Sequence, residues 1–396
     1  MMRLVAAFFV AAFLFSAIFG CAYQDEVLFY EFQPNAFAAT PKAAPLDAEE
    51  YRLRYGYSRL DEDERAVYCA IKDAVFSFGS MSADICDYDT FKKVFVVFCA
   101  DFPECFWVSG DWSVSGYVSG GVKKYTSYTP NFRYTKDEAE IIKALIDAAV
   151  EEFLAGVPAD ASDYDKAILA YKFVASYASY DNEAAEKLGE GKVDGTTDRS
   201  CLIDGFFIDR RAVCSGFSKA LQHILHRLGI ECAYVTGKSE GVGHSWNFVK
   251  LEGEYYFIDV TWAATRSEGT GHITYDFFCL TTEELEYDHE IESVIDFPEC
   301  TATKMNYYVR SGLVAGSCDE GELAELFARS LELEGGGALA VKFASRELFD
   351  NACKILFDGC RIFEVLKRID GIGYRSIKYS FDPGRFTVTV YLHENG

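Results

Sequence analysis

Apolar residues change their spacing several times along this chain, and each change marks an element. Between about 51 and 82, Leu60, Ala66, Val67, Ala70, Ile71, Val75 and Phe76 recur mostly at three- and four-residue steps, the period of one helical face. Asp61, Glu62, Asp63 and Glu64 precede that stripe, where a helix N-terminus favours acidic groups. Phe91 to Phe98 reads as a second buried helix or strand. Trp107 to Arg133 is rich in Tyr, Ser, Gly and Val, and reads as β-structure with turns at Gly110 and Gly120-Gly121. The spacing then predicts a long helix over about 136–155, stopped by Gly156-Val157-Pro158. A further helix runs from Asp163 to Tyr177, its apolar face carrying Ile168, Leu169, Tyr171, Phe173 and Val174.

From Ser215 onward, Phe217, Leu221, Ile224, Leu225 and Leu228 form one stripe, and Gly229 closes the helix. Glu231 to Thr236 reads as a strand. His244 to Leu251 and Glu254 to Trp262 read as a hairpin across Glu252-Gly253. Beyond Pro298 the pattern changes again. Ala338 to Phe343 is a strand, Glu347 to Ile369 a helix interrupted at Gly359, and Ser376–Phe381 with Phe386–Leu392 a hairpin around Asp382-Pro383-Gly384. This β-α-β-β piece contains no constellation that supports chemistry.

Five regions follow. Residues 1–21 have one cation and an apolar run from Leu4 to Phe19, too short to span a bilayer and shaped as a secretory signal. Cys21 after Gly20 fits a lipobox, so the expectation is an exported, membrane-anchored lipoprotein or a secreted protein. Residues 22–50, with Pro34, Pro41 and Pro45, read as a flexible tether. An N-terminal mainly helical region with some β-structure spans 51–158, an α/β core 159–300, and a small accessory domain 301–396.

Charge narrows the partners. With 38 basic against 62 acidic residues the net charge is −24, which repels phosphate backbones and excludes nucleic acid as the natural ligand. Setting aside Cys21 and Cys214, the 13 cysteines leave 11, an odd number without repeated spacing. No CxxC occurs and the six histidines do not cluster with cysteines at zinc-finger spacing, so no structural zinc site is expected, and the spacing assigns no disulfide pairing. His223 and His226 read as ordinary helix residues, and Asp160–Asp165 as a helix cap rather than a calcium loop.

Three residues carry chemistry. Cys214 lies at the start of a helix, whose amides favour thiolate over thiol and can donate to an oxyanion. A two-residue turn at Glu252-Gly253 sets Trp246 opposite Asp259 and His244 opposite Thr261. His244 and Asp259 are then diagonal neighbours on one face, roughly 7–8 Å apart at the backbone. A three-residue turn would put them on opposite faces. Thiol, imidazole and carboxylate so arranged make a nucleophile, its base and the group that orients the base. Trp246 and Trp262 read as core or rim aromatics.

The text Arg211-Ala212-Val213-Cys214-Ser215-Gly216-Phe217-Ser218-Lys219-Ala220, then Gly243-His244-Ser245-Trp246-Asn247, then Tyr256-Phe257-Ile258-Asp259-Val260-Thr261-Trp262, resembles the transglutaminase-like superfamily, particularly its bacterial exported members. The close match covers about 196–265. The resemblance implies an α+β fold with a papain-like core, a catalytic triad of Cys214, His244 and Asp259, and no cofactor or metal. One departure is Asp204-Gly205, where related sequences often carry Tyr-Gly. The expected activity is a thiol enzyme, peptidase, amidase or amine acyltransferase, that attacks protein or peptide amides, a cell-wall peptide among the candidates. The competing expectations are a non-catalytic cell-surface binding module with a papain-like groove, and a structural surface protein acting through its C-terminal domain.

Overall fold

The computed structural model describes residues 27–29, 51–119, 122–268, 270–334 and 337–393. The signal and lipobox expectations, Cys21 included, lie outside the described residues. Among the described residues no helix is long and apolar enough to cross a membrane. The tether expectation for 22–50 is corrected in part, because Val27–Phe29 forms a strand, β1, paired in parallel with Val114–Gly116.

The chain divides into two compact units. The first contains the described residues up to Gly253, with Asp259–Thr261 and His289–Pro298. It begins with helices α1 (Glu62–Ser77) and α2 (Tyr88–Asp101). Asp61 is the cap of α1: its carboxylate accepts from Glu64 N at 2.8 Å and Glu64 answers from Asp61 N at 3.2 Å. Phe91 to Phe98, ambiguous in the sequence, is thus helical. Its residues Phe91, Val94, Phe95 and Phe98 have no exposed surface, and each such burial contributes about 1.5–3 kcal/mol.

Strands β2 (Met81–Ser82), β3 (Val108–Ser119) and β4 (Val122–Phe132) complete a sheet in the order β1-β3-β4-β2. Gly110 is not a turn here. It sits inside β3 with φ of 85°, where the register against β4 slips between Val108 and Trp112.

Helices α3 (Lys136–Ala155) and α4 (Asp163–Tyr177) match the apolar periodicity. Ser162 caps α4 and Asp165 closes the reciprocal bond, which absorbs the acidic run 160–165. Helix α5 (Cys214–Arg227) buries Phe217, Leu221, Ile224 and Leu225 completely. Strands β7 (Cys232–Ser239) and β8 (Val242–Leu251) pair antiparallel, Val235 facing Trp246 and Gly237 facing His244. Two short strands, β5 (Ser179–Tyr180) and β6 (Arg211–Ala212), pair in parallel ahead of α5.

The second unit holds Glu254–Ile258, Trp262–Asp288 and the described residues from Glu299 onward. Strand β9 (Glu254–Ile258) pairs with β10 (Phe278–Leu280). A four-stranded sheet of order β12-β13-β15-β14 uses Val314–Ala315, Ala338–Phe343, Thr387–His393 and Ser376–Asp382 respectively. Leu339, Val341, Val388 and Val390 pack with Leu323 and Phe327 of the helix Glu320–Glu334. The helix expected over 347–369 with an interruption at Gly359 runs as Arg346–Cys353, widens into a π-turn over Lys354–Asp358, ends at Gly359 and resumes at Ile362–Leu366.

Candidate active site

Cys214 is the first residue of α5, and Val213 before it supplies no side-chain cap. The N-terminal turn is held by small residues in tight quarters. A Cβ at Gly216 would come within 2.7 Å of both Ala212 Cβ and Ser200 O, so glycine at this position is a packing requirement. Ser215 Oγ donates to Cys201 O at 2.8 Å, and Tyr234 OH donates to Ser215 Oγ at 3.1 Å.

The helix is tied to the strand that carries His244. Ser218 Oγ donates to Ser245 O at 3.0 Å, and Asn247 Nδ2 donates to Ser218 O at 2.9 Å. Gln222 Nε2 adds a bond to Cys232 O of the adjoining strand β7 at 3.1 Å. These buried polar pairs fix the spacing between nucleophile and base.

The chain turns from β8 at Glu252 and Gly253, with φ of 50° and 89°, the two-residue turn that the sequence requires. The expected strand to Trp262 is corrected. It stops at Ile258, and Val260–Ser267 forms a helix, α6. Asp259 stands at the junction, its Oδ1 accepting from Thr261 N at 2.9 Å in the manner of a capping aspartate. Val260, Thr261 and Trp262 have strand propensity, and this local bond outweighs it.

The carboxylate nevertheless reaches the expected partner. His244 Nε2 lies 2.7 Å from Asp259 Oδ2, and both side chains are buried. Since an ionised carboxylate only accepts, Nε2 carries the hydrogen and Nδ1 is the nitrogen left to serve Cys214. Burial works against charge on all three groups, but their mutual interaction prevails. Asp259 and the Cys214 thiolate raise His244 from 6.5 to about 10. The His244 hydrogen bond and charge, with smaller help from Ser245, hold the Cys214 thiol below its ordinary value. Asp259 is held below the usual carboxylate range by His244 and by a second imidazole, His289. The Cys214 and His244 shifts both run toward a thiolate–imidazolium pair.

Several buried or half-buried thiols are driven the opposite way. Burial pushes Cys201 up to about 12 and Cys86 up to about 11, and raises Cys99 and Cys232 as well. All twelve described cysteines, Cys214 among them, are unbridged.

Sequence reasoning missed two neighbours. Tyr180, paired with Ala212 across β5 and β6, resists ionisation because it is buried beside Cys214 and Asp259. His289 Nε2 lies 3.1 Å from Asp259 Oδ2. No motif flags His289, since a lone histidine far along the chain carries no spacing signal. No metal was expected, yet the structure brings donor atoms of His244, Asp259 and His289 within 4.8 Å of one another.

The remaining candidates settle into structural roles. Trp246 is fully buried. His226 Nε2 is 2.8 Å from Cys232 O and its Nδ1 3.0 Å from Arg54 Nη1. Burial lowers His226 to about 3 and His223 to about 4, which keeps both neutral. Asp204, at the departure from the related sequences, is buried and accepts from Tyr134 OH at 2.7 Å.

Residues 149–260 match the model of the transglutaminase-like superfamily. A mouse (Mus musculus) protein named kyphoscoliosis peptidase is 22% identical over 145 residues, which is 33% of this chain and 21% of the mouse protein. The chain thus matches about a fifth of that relative's length. A solved structure described as the crystal structure of a TGase shares 20% identity over 39% of this chain and 52% of its own, with a TM-score of 0.29.

Proposed function

We propose, from the premise that residues 149–260 are a transglutaminase-like domain, that the chain is a thiol enzyme cleaving or exchanging protein or peptide amide bonds. The observation that carries this reading is the unbroken contact line from Cys214 through His244 to Asp259, with the thiol lowered and the imidazole raised.

The steps follow from those states. The Cys214 thiolate attacks the amide carbonyl and forms the carbon–sulfur bond, while the first-turn amides of α5 receive the oxyanion. His244 gives its Nδ1 proton to the departing nitrogen as the carbon–nitrogen bond breaks, leaving a thioester. Water or an amine then attacks the thioester, His244 takes the proton from it, and the thiolate leaves. Asp259 stays ionised throughout and holds the ring. Hydrolysis and cross-linking share this acyl-enzyme and differ only in the second nucleophile.

The test is labelling by iodoacetamide at neutral pH with peptide mapping. Cys214 reacts far faster than the buried thiols, and His244→Ala removes the difference. Equal labelling in the unaltered protein sinks the enzymatic reading and leaves the groove as a binding surface.

A further inference from the structure

We propose that His289 is a positioning residue of this site, holding Asp259 through the same carboxylate oxygen that meets His244; the inference rests on the enzymatic reading above. Asp259 Oδ2 takes two imidazole Nε2 atoms, His244 at 2.7 Å and His289 at 3.1 Å, while Oδ1 takes Thr261 N at 2.9 Å. Both imidazoles present an N–H to the same oxygen. With each carboxylate oxygen occupied, the group can neither rotate nor retreat from His244.

The fold makes room for this histidine at some cost. His289–Ile291 forms β11, the strand that borders β7 on the side away from β8, with His289 facing Ser239 and Ile291 facing Gly237. Any side chain at Gly237 would put its Cβ 2.0 Å from Glu290 O and 2.7 Å from Trp246 Cη2. Glycine there lets β11 come close enough to press the His289 ring edge-on against Trp246, centroids 5.0 Å apart at 77°. Trp246 in turn lies 6.0 Å from the His244 ring, nearly parallel to it. The indole packs against both imidazoles, whose own centroids lie 5.6 Å apart, so the three rings hold one another in place. A buried histidine kept only for packing has no need of the carboxylate, and the carboxylate has no second reason to bind two rings.

The donor set is also one that could hold a divalent cation, which the experiment separates from a clamp. The full-length protein is compared with His289→Gln, His289→Asn and His289→Leu, and with His244→Ala. Glutamine places its amide nitrogen as many bonds from Cβ as Nε2, whereas asparagine stops at the position of Nδ1. The readout is the rate of Cys214 alkylation by iodoacetamide across pH 5 to 9, with circular dichroism to establish folding. The expected result is that Gln keeps the acid-side inflection. Asn and Leu lose about 10- to 100-fold in rate near pH 6.5 and move the inflection toward the ordinary thiol value of ~8.5. A merely structural role would not move the inflection, and if Leu fails to fold the Gln–Asn contrast still decides. An unchanged profile in all three variants, with the rate still lost in His244→Ala, overturns this inference alone. So does equal impairment by Gln and Asn, or a wild-type rate that changes with EDTA or added zinc. No enhanced reactivity in the wild type overturns the enzymatic reading together with it.

Discussion

Asp259→Asn is the most informative single change, because papain-like sites elsewhere work with asparagine as the third residue. Here the hydrogen bonds forbid it. Both oxygens of Asp259 accept: Oδ1 from Thr261 N, Oδ2 from His244 and His289. Asparagine offers one oxygen and one NH2, so one side must face donor against donor. The less costly arrangement keeps the oxygen on the imidazoles and leaves the Thr261 amide without its acceptor, a loss of about 1–3 kcal/mol. The negative charge is lost in either case. His244 is raised to about 10 mainly by Asp259, so without that charge burial returns it toward or below 6.5. The change also removes a repulsion between Asp259 and the thiolate, but the His244 interactions with Cys214 are the larger effects. The thiol therefore returns toward ~8.5, at which only about 1% is thiolate at pH 6.5. Alkylation of Cys214 at that pH should fall roughly 100-fold.

Denaturant unfolding supplies the second arm of that assay. A group whose folded value is raised stabilises fully below its unfolded value and loses the effect as pH rises through its folded value. His244 thus contributes fully below ~6.5 and loses its contribution toward about 10. The stability gap between wild type and Asp259→Asn should narrow across that window. A variant that matches wild type in alkylation at pH 6.5 and in stability at neutral pH would refute the reasoning.

Two further outcomes test how the nucleophile is seated. Gly216→Ala forces a Cβ to within 2.7 Å of Ala212 Cβ and Ser200 O, and should destabilise by about 1–3 kcal/mol in urea unfolding while slowing Cys214 alkylation. Asn247→Ala removes the bond from the His244-bearing strand to Ser218 O, leaving that carbonyl only its partner within the helix; about 0.5–1.5 kcal/mol should be lost in the same measurement, and the helix-to-strand spacing loosened.

The helices α3, α4 and α5 could be read from the sequence almost to the residue, because each combines a 3.6-residue apolar stripe with a boundary signal: a glycine after α3 and α5, and a capping run before α4. The turn at Glu252-Gly253 was equally legible, since glycine at its second position admits the positive φ it needs. Elsewhere local preference misled. Val260-Thr261-Trp262 has the composition of a strand, yet a side-chain bond from Asp259 starts a helix there. Gly110 has the composition of a turn and lies in a bulged strand.

By itself the sequence determined the chemical identity of the candidate site. It put a thiol at a helix start and ordered Cys214, His244 and Asp259 as separate motifs, because periodicity and short motifs are properties of neighbouring residues. Only the tertiary structure decided what surrounds them: which imidazole nitrogen meets the carboxylate, that burial moves thiols such as Cys201 and Cys99 away from reactivity, and that His289 joins from a strand with no motif of its own. Those are relations among residues distant in the chain, set by how closely backbones approach at positions such as Gly216 and Gly237, and no local pattern encodes them.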